Sequence, residues 1–474
     1  MKVEMSKFLQ ESKTRLKELV GNLGKDFKYV SVLGSDTTGT KYQVTQTGAS
    51  IGESNWSERG FVARVYNGIG YSEYSFNTMD DLSDIEKRIK TIAKSDVDNL
   101  KSQGMEFVEY PVIEEDEISE SFYGEVEKDP EAMSPKDVIN TLTDLKNEGM
   151  SLAEFLIDFR AIYESVKVCK LFISSNKDLE QSYNWVSSYL IPIGRNEEGV
   201  KYAFKGFSGM KGAEILDEMH SGLQVAVNEV KDLLSAERLS PGEYDIICDP
   251  DMAGLIAHEA FGHGVEMDMF VKQRAKAVEF VDKAVAANGV RMHDGAKSAT
   301  EVSSYLFDDE GTIGTDTVVI DDGILKSGIS DLLSAMKLGT VPTGNGKRES
   351  FERKVYARMT NTFFSPGEST LDEMVKSIEN GYLLEGFQSG MEDPKNWGIQ
   401  CVAMKGREII DGKLTGKIVA PVYLTGYVPD LLKSISMVSK DFKLSGTGAC
   451  GKGYKEFVKT STGGPYLKAK GRLA

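Results

Sequence analysis

Histidine and cysteine are scarce in this chain: its 474 residues include four of each, and three tryptophans. The cysteines, Cys169, Cys248, Cys401 and Cys450, are widely scattered with no Cys-x-x-Cys pair, a pattern of reduced thiols rather than of a disulfide framework. No stretch approaches 18 consecutive apolar residues, so no membrane-spanning helix is expected. Met1-Lys2-Val3-Glu4-Met5 lacks the apolar core and small-residue cleavage site of a secretory leader, and the expectation is a cytoplasmic protein. Basic residues are in deficit, 56 against 73 acidic, for a formal charge of −17. Nucleic-acid backbones and anionic membranes repel such a chain, so neither is expected as a partner. No internal repeat of fixed period is evident.

What remains is ordinary globular material, 40% apolar and 27% charged, long enough for more than one full-sized core. Apolar spacing predicts an amphipathic helix over the first 23 residues. Strands are expected at Tyr29 to Leu33, Lys41 to Thr47, Gly60 to Tyr66 and Gly70 to Phe76, with Asn67-Gly68 as a hairpin turn. Thr78 is read as the cap of a helix running to about Gln103. Between Glu114 and Glu131 nine of eighteen positions are acidic, which reads as a solvated, mobile loop. Ser134-Pro135 restarts helix, expected to about Arg160. Strands near Val166 to Ser174, Tyr183 to Pro192 and Val200 to Gly206 precede a long helix over Gly212 to Leu234.

Leu239-Ser240-Pro241-Gly242 is the clearest turn signal between long elements and sets the expected division. Residues 1–238 read as an N-terminal α/β domain with antiparallel strands and packing helices, and residues 239–474 as a mainly β C-terminal domain. The fold class is α+β. In the second half, Asp321-Asp322-Gly323 reads as a hairpin turn between Thr317 to Ile320 and Ile324 to Ser327. Further strands are expected at Ile399 to Met404, Ile418 to Leu424 and Tyr466 to Lys470.

The chemistry concentrates at His258-Glu259-Ala260-Phe261-Gly262-His263, which gathers two of the four histidines around a glutamate. Neutral imidazoles are the usual nitrogen ligands of Zn²⁺, and an adjacent carboxylate can take a proton from water at the ion. Asp249 and Pro250 suit the cap and first position of the helix that carries the motif. The spacing poses a difficulty, because residues five apart on an ideal α-helix point about 140° away from each other. A regular helix would not let both rings reach one ion. The pattern therefore predicts a distortion over Ala260 to Gly264, either a π-bulge or a glycine-terminated last turn. A buried histidine pair with no metal is the plain alternative. A third ligand is needed, and the candidates are Glu266, Asp268, His293 and Cys450. Cys450 is the best chemical choice, since a thiolate binds zinc strongly and glycines surround it. Lys452 nearby is expected to favour that thiolate.

With these motifs in view, the sequence resembles the TldD/PmbA family of zinc metallopeptidases, of the metal-bearing TldD-like type. The likeness runs in order through His258-Glu259-Ala260-Phe261-Gly262-His263 with Glu266, Asp308-Asp309-Glu310-Gly311, Thr343-Gly344-Asn345-Gly346, Arg358-Met359-Thr360-Asn361-Thr362 with Pro366-Gly367, and Cys450-Gly451-Lys452. The first half matches only in the order of its elements, and Gly453-Tyr454-Lys455 departs from the glycine and glutamine common in the family. The resemblance implies one Zn²⁺ per chain held by His258, His263 and Cys450, with Glu259 as the catalytic glutamate. It also implies a homodimer, or a heterodimer with a related subunit, enclosing a cavity for peptides. Glu266, Asp309, Glu310 and Asn361 are candidate cleft or supporting residues, although the Asp308 to Gly311 segment reads equally as an exposed acidic turn and Asn361 as a backbone partner. The expected activity is hydrolysis of small or unfolded peptides through a metal-activated water. The alternative is a peptide-binding or assembly protein in which the metal is structural and no turnover occurs.

Overall fold

The computed structural model describes residues 1–104, 109–453 and 456–474. Two large sheets organise them. The first has nine strands, and its central path runs Tyr71–Phe76, Glu58–Tyr66, Val30–Thr45, Leu156–Ser174, Lys177–Asn196, Ile118–Tyr123. Every pairing along it is antiparallel except the last, which is parallel.

Strand alternation decides what each face of this sheet meets. On Leu156–Ser174 the odd positions Phe159, Ala161 and Tyr163 pack under helices Pro135–Ser151 and Leu223–Leu234. Further along the same face, Cys169, Leu171 and Ile173 pack under helices Lys7–Leu23 and Leu82–Ser102. The even positions Val166, Val168 and Phe172 turn the other way, against Ala296, Val302, Tyr305 and Phe307 from the second half of the chain. A sheet covered on both sides explains why its central strands read as nearly continuous apolar runs.

The second sheet has eleven strands and closes on itself. Gly242–Cys248 pairs in parallel with Asn380–Asp393 and antiparallel with Ser461–Leu473. From Asn380–Asp393 the ladder continues through Gly398–Ile410 and Val422–Tyr427 back to Ser461–Leu473. The ring has no free edge along these strands, which leaves its interior to be filled. The segment after Gly242–Cys248 fills it: Met252, Ala253, Ile256, Ala257, Ala260 and Phe261 join Ile246, Leu384, Cys401, Ala403 and Leu467 in one core. Gly254 allows the close approach, since a Cβ there would fall 2.5 Å from the backbone nitrogen of Gly463.

Polar groups also join the two halves. Arg64, on Glu58–Tyr66, is 5% exposed and pairs with Glu73 and with Glu310. Lys170 pairs with Asp309, and Arg348 reaches back to Glu73. Asp308 accepts N–H bonds from Glu310, Thr312 and Gly346. Asp308, Asp309 and Glu310 are thus buried between the halves, and the exposed-turn reading of that segment is excluded.

Several local expectations hold and others shift. Asn67 builds its turn by accepting from the N–H groups of Ile69 and Gly70. Asp322 and Gly323 take the positive φ values of a tight hairpin, 48° and 77°. Tyr29 to Leu33 and Lys41 to Thr47 belong instead to one continuous strand, Val30–Thr45. The second helix starts at Leu82 with Asp81 as its cap, not Thr78. The helix begun by Ser134-Pro135 stops at Ser151, so Arg160 lies in a strand. Gly212 to Leu234 is broken into Ile215–Glu218, a 3₁₀ turn and Leu223–Leu234, where Gly222 lies under the ring of Phe207. Ile418 to Leu424 is split at Ala420-Pro421, since proline has no N–H to give a ladder. The acidic stretch is not simply a loop: Ile118–Tyr123 is a strand, and Glu115 is anchored by Tyr29, Ser174 and Lys177. No helix among the described residues is long and apolar enough to cross a membrane.

Replacing Arg64 by Met leaves Glu310 buried without its cation. The expected cost is about 3–5 kcal/mol, read as a lower urea midpoint; an unchanged midpoint would show that the pair does not hold the halves together.

Candidate metal centre

Asp249 starts the helix that carries the histidines. Its Oδ1 accepts the Met252 N–H at 2.8 Å and its Oδ2 accepts the Gly386 N–H at 2.9 Å, so one carboxylate both caps the helix and pins it to the sheet. Pro250 takes the first helical position, and Pro250–Leu255 is regular α-helix. From Ile256 to Gly262 the chain is a π-helix, followed by a 3₁₀ turn over His263–Val265. The expected distortion is therefore present, and it begins four residues earlier than Ala260. Its last bond decides the geometry: the N–H of His263 donates to the carbonyl of His258. An i to i+5 bond stacks residues five apart, where α geometry would set them on different faces. The two rings lie 5.3 Å apart between centroids and nearly perpendicular, at 84°.

Small residues make the wide turn possible. The sulfur of Met359 occupies the place where a Cβ on Gly262 would stand. A Cβ on Gly264 would fall 2.6 Å from Glu392 Oε1, and one on Gly390 would fall 2.6 Å from Glu259 Cγ. Glu259 is held in this way against strand Asn380–Asp393, with its carboxylate between the rings, 3.9 Å from Nε2 of His258 and 3.9 Å from Nε2 of His263.

Cys450 arrives from the far end of the chain on the short strand Ala449–Lys452, paired with Glu456–Lys459. Arg358, 1% exposed, donates to the Cys450 carbonyl and fixes that strand. The Cys450 sulfur lies 3.5 Å from Nε2 of His263. One donor atom from each of His258, His263 and Cys450 lies within 4.8 Å of the others.

The surrounding charges suit a cation. Glu266 meets Nδ1 of His263 at 3.2 Å, which leaves Nε2 facing the sulfur. Burial pushes the Glu266 carboxyl up, but Lys452 and His263 outweigh it and hold it down at about 2. Burial likewise pushes the Cys450 thiol up, and the two imidazoles overcome this and hold it well below its ordinary value. Lys452 does not serve the thiolate as expected: its ammonium is engaged by Glu266 at 2.9 Å, Asp268 at 2.7 Å and the Ala357 carbonyl. Tetrahedral zinc with bonds of about 2.05 Å to nitrogen and 2.3 Å to sulfur separates those donors by about 3.6 Å, close to the His263 to Cys450 distance. Nδ1 of His258 is buried and meets no hydrogen-bond partner among the described residues. The three side chains therefore fit a divalent ion, in donor type and in spacing.

The remaining candidates lie elsewhere or support the site. Asp268 binds Lys452 and Lys272. His293 sits on another strand, bonded to Asp316 and stacked on Phe363. Asn361 is fully buried and donates to the Gly295 carbonyl and Ser304. Asp309 and Glu310 bind Lys170 and Arg64 between the halves. The sequence reading missed Glu392, whose Oε2 accepts the N–H of Gly264 at 3.1 Å. Burial pushes its carboxyl well above the usual range, against the pull of His263 and the Gly264 N–H. In the sequence it is followed by Asp393 and resembles the solvent side of a strand, so no local signal marks it.

Glu392→Gln keeps an acceptor for Gly264 and is expected to be tolerated. Glu392→Leu strands that N–H at a cost of about 1–3 kcal/mol, which paired denaturation midpoints will read; equal midpoints for the two variants would refute the contact's importance.

Residues 241–472 match the model of the PmbA/TldA metallopeptidase C-terminal domain. A metalloprotease of Methanothermobacter thermautotrophicus is 30% identical over 315 residues, covering 66% of this chain and 68% of that one. A zinc metalloprotease TldD homolog of Saccharolobus solfataricus is 31% identical over 230 residues, 48% of this chain and 51% of its own. Among solved structures, a Thermotoga maritima protein superposes over 98% of this chain and 100% of its own with a TM-score of 0.76. TldE from Thermococcus kodakarensis superposes over 96% and 99% with a TM-score of 0.72, each at 18% identity, which speaks for the fold. The similarity in sequence, through the segment that carries both histidines and Cys450, shows that this chain belongs to the PmbA/TldD metallopeptidase family.

Proposed function

We propose that this metalloprotease hydrolyses small or unfolded peptides at one Zn²⁺ held by His258, His263 and Cys450, with Glu259 as general base. The observation that carries this reading is the convergence of three donor atoms within 4.8 Å beside a carboxylate that touches neither another cation nor a hydrogen-bond donor among the described residues. When bound, a zinc ion with three protein ligands supplies Lewis acidity at an open position and brings the acidity of water there toward a pKa of about 7.

The side chains do the rest. Glu259, partly open to solvent, accepts the proton of the attacking water and later returns it to the leaving amine. Glu266 keeps His263 oriented by holding its Nδ1. Lys452 keeps Glu266 ionised and Arg358 keeps the Cys450 strand in place. Mixed nitrogen and sulfur ligation favours zinc over harder divalent ions. Cys450 must give up a proton to bind it, and the imidazoles that hold its thiol well below the ordinary range against burial ease that step.

We further read residues 1–238 and 239–474 as two domains, and the working form as a homodimer or a pair with a related subunit lacking the histidine motif. The resemblance to the family supports the pairing.

The decisive experiment incubates the purified chain with an unstructured peptide, with and without chelator, beside Glu259→Gln. Chelation is expected to abolish cleavage, and Glu259→Gln to retain metal while lowering kcat by roughly 10²–10⁴. Full metal occupancy with no cleavage across a broad peptide panel would favour a metal-stabilised binding protein. Loss of metal is expected in Cys450→Ser, measured by elemental analysis.

A further inference from the structure

A groove of about 560 Å³ opens between the two halves, lined by Tyr71, Ser72 and Glu73 on the outermost strand of the first sheet and by Asp268, Asp331 and Tyr356 from the second half. Asp268 links it to the metal centre: Lys452 bridges Asp268 and Glu266, and Glu266 holds His263. Two side chains, Lys452 and Glu266, therefore stand between the groove wall and the candidate ligand His263.

Most charges along its walls are already matched. Glu73 pairs with Arg64 and Arg348, and Asp268 with Lys272 and Lys452. Asp331 is different. It is 6% exposed, and its Oδ1 is buried without a hydrogen-bond partner among the described residues. Aspartate at the start of a helix ordinarily caps it, but Asp331 makes no such bond to helix Leu332–Leu338. Burial, with the carboxylates of Glu310 and Asp268 nearby, pushes its pKa up to about 7, against the opposing pull of Ser334 and of Arg64, whose guanidinium is already paired with Glu73 and Glu310. A buried carboxyl group without a cation costs free energy that an incoming cation recovers. Tyr71 on the same wall adds an aromatic ring to which an aliphatic stem can pack, whereas Tyr110 and Tyr356 already carry lysine ammoniums near their faces.

We propose that Asp331 forms a subsite in this groove for a cationic nitrogen group of the peptide substrate, an N-terminal ammonium or a lysine or arginine side chain. The proposal rests on the peptidase reading for the identity of the ligand, and on Asp331 and the groove for the site. One unpaired carboxyl is too few for a second metal ion, which requires several oxygen ligands. A single ammonium needs one.

The test uses the full chain carrying Glu259→Gln, so that peptide stays intact, and follows binding by fluorescence anisotropy. Four versions of one labelled peptide are compared: free N-terminus with lysine, acetylated with lysine, free N-terminus with norleucine, and acetylated with norleucine, with the lysine moved through each position in turn. Removing the responsible nitrogen charge is expected to weaken binding at least tenfold, and the single changes tell terminus from side chain. Asp331→Asn is expected to erase that difference and to leave binding of the uncharged peptide unaltered. Equal affinity for all four peptides overturns the proposal, as does a charge preference that survives Asp331→Asn. Should that variant misfold, the peptide comparison on the chain with Asp331 intact still decides. Charge-dependent binding alongside an absence of cleavage by the parent chain would refute the catalytic reading and leave the subsite standing.

Discussion

A single backbone hydrogen bond, from the N–H of His263 to the carbonyl of His258, sets the geometry on which the centre depends. It converts a five-residue spacing, which an α-helix would spread around its circumference, into a facing pair of imidazoles. π-Helix is rarely stable unaided, because its backbone bonds are strained relative to α geometry. Here the surroundings over-determine it. Asp249 fixes where the helix begins, the closed ring of strands grips its apolar side, and the 3₁₀ turn after Gly262 hands the chain on to Glu266. The missing side chains at Gly262, Gly264 and Gly390 are filled in by Met359, Glu392 and Glu259.

The nine-stranded sheet matters to this centre although it contributes none of the three donor side chains. Its helix-free face presents Val166, Val168 and Phe172 to the second half, Arg64 and Lys170 meet the acidic segment around Asp309, and Glu73 meets Arg348. Asp308 in that segment receives the N–H of Gly346, and the neighbouring Asn345 donates to the carbonyl of Arg358, the residue that secures the Cys450 strand. A path of buried polar contacts thus runs from the first sheet to the backbone of Cys450. Networks of this kind impose geometry because each member left unpaired is costly.

Much of this was visible in the sequence where local chemistry decides the outcome. Asp249-Pro250, Ser134-Pro135, Asn67-Gly68 and Asp322-Gly323 each name their own cap or turn, and each stands where expected. The motif at 258–263 announced its own distortion through an awkward spacing. Long-range contacts decided the rest. The split of Gly212 to Leu234 depends on the ring of Phe207, the strand at Ile118–Tyr123 on a partner some sixty residues away, and Glu392 on a helix it meets only in space. The buried state of Asp308, Asp309 and Glu310 follows from cations on another sheet, which no window of sequence contains. The Tyr454-Lys455 departure lies outside the described residues.

The donor set also has an order in time. Cys450 stands 187 residues beyond His263, and the ring of strands that brings them together is closed by Ser461–Leu473 at the end of the chain. Since a protein is made from its N-terminus forward, the two imidazoles leave the ribosome well before the sulfur, and the three side chains meet only after the strand that carries Cys450 has followed them. The three donor side chains thus come together only when both distant parts of the sequence have folded onto one ring of strands.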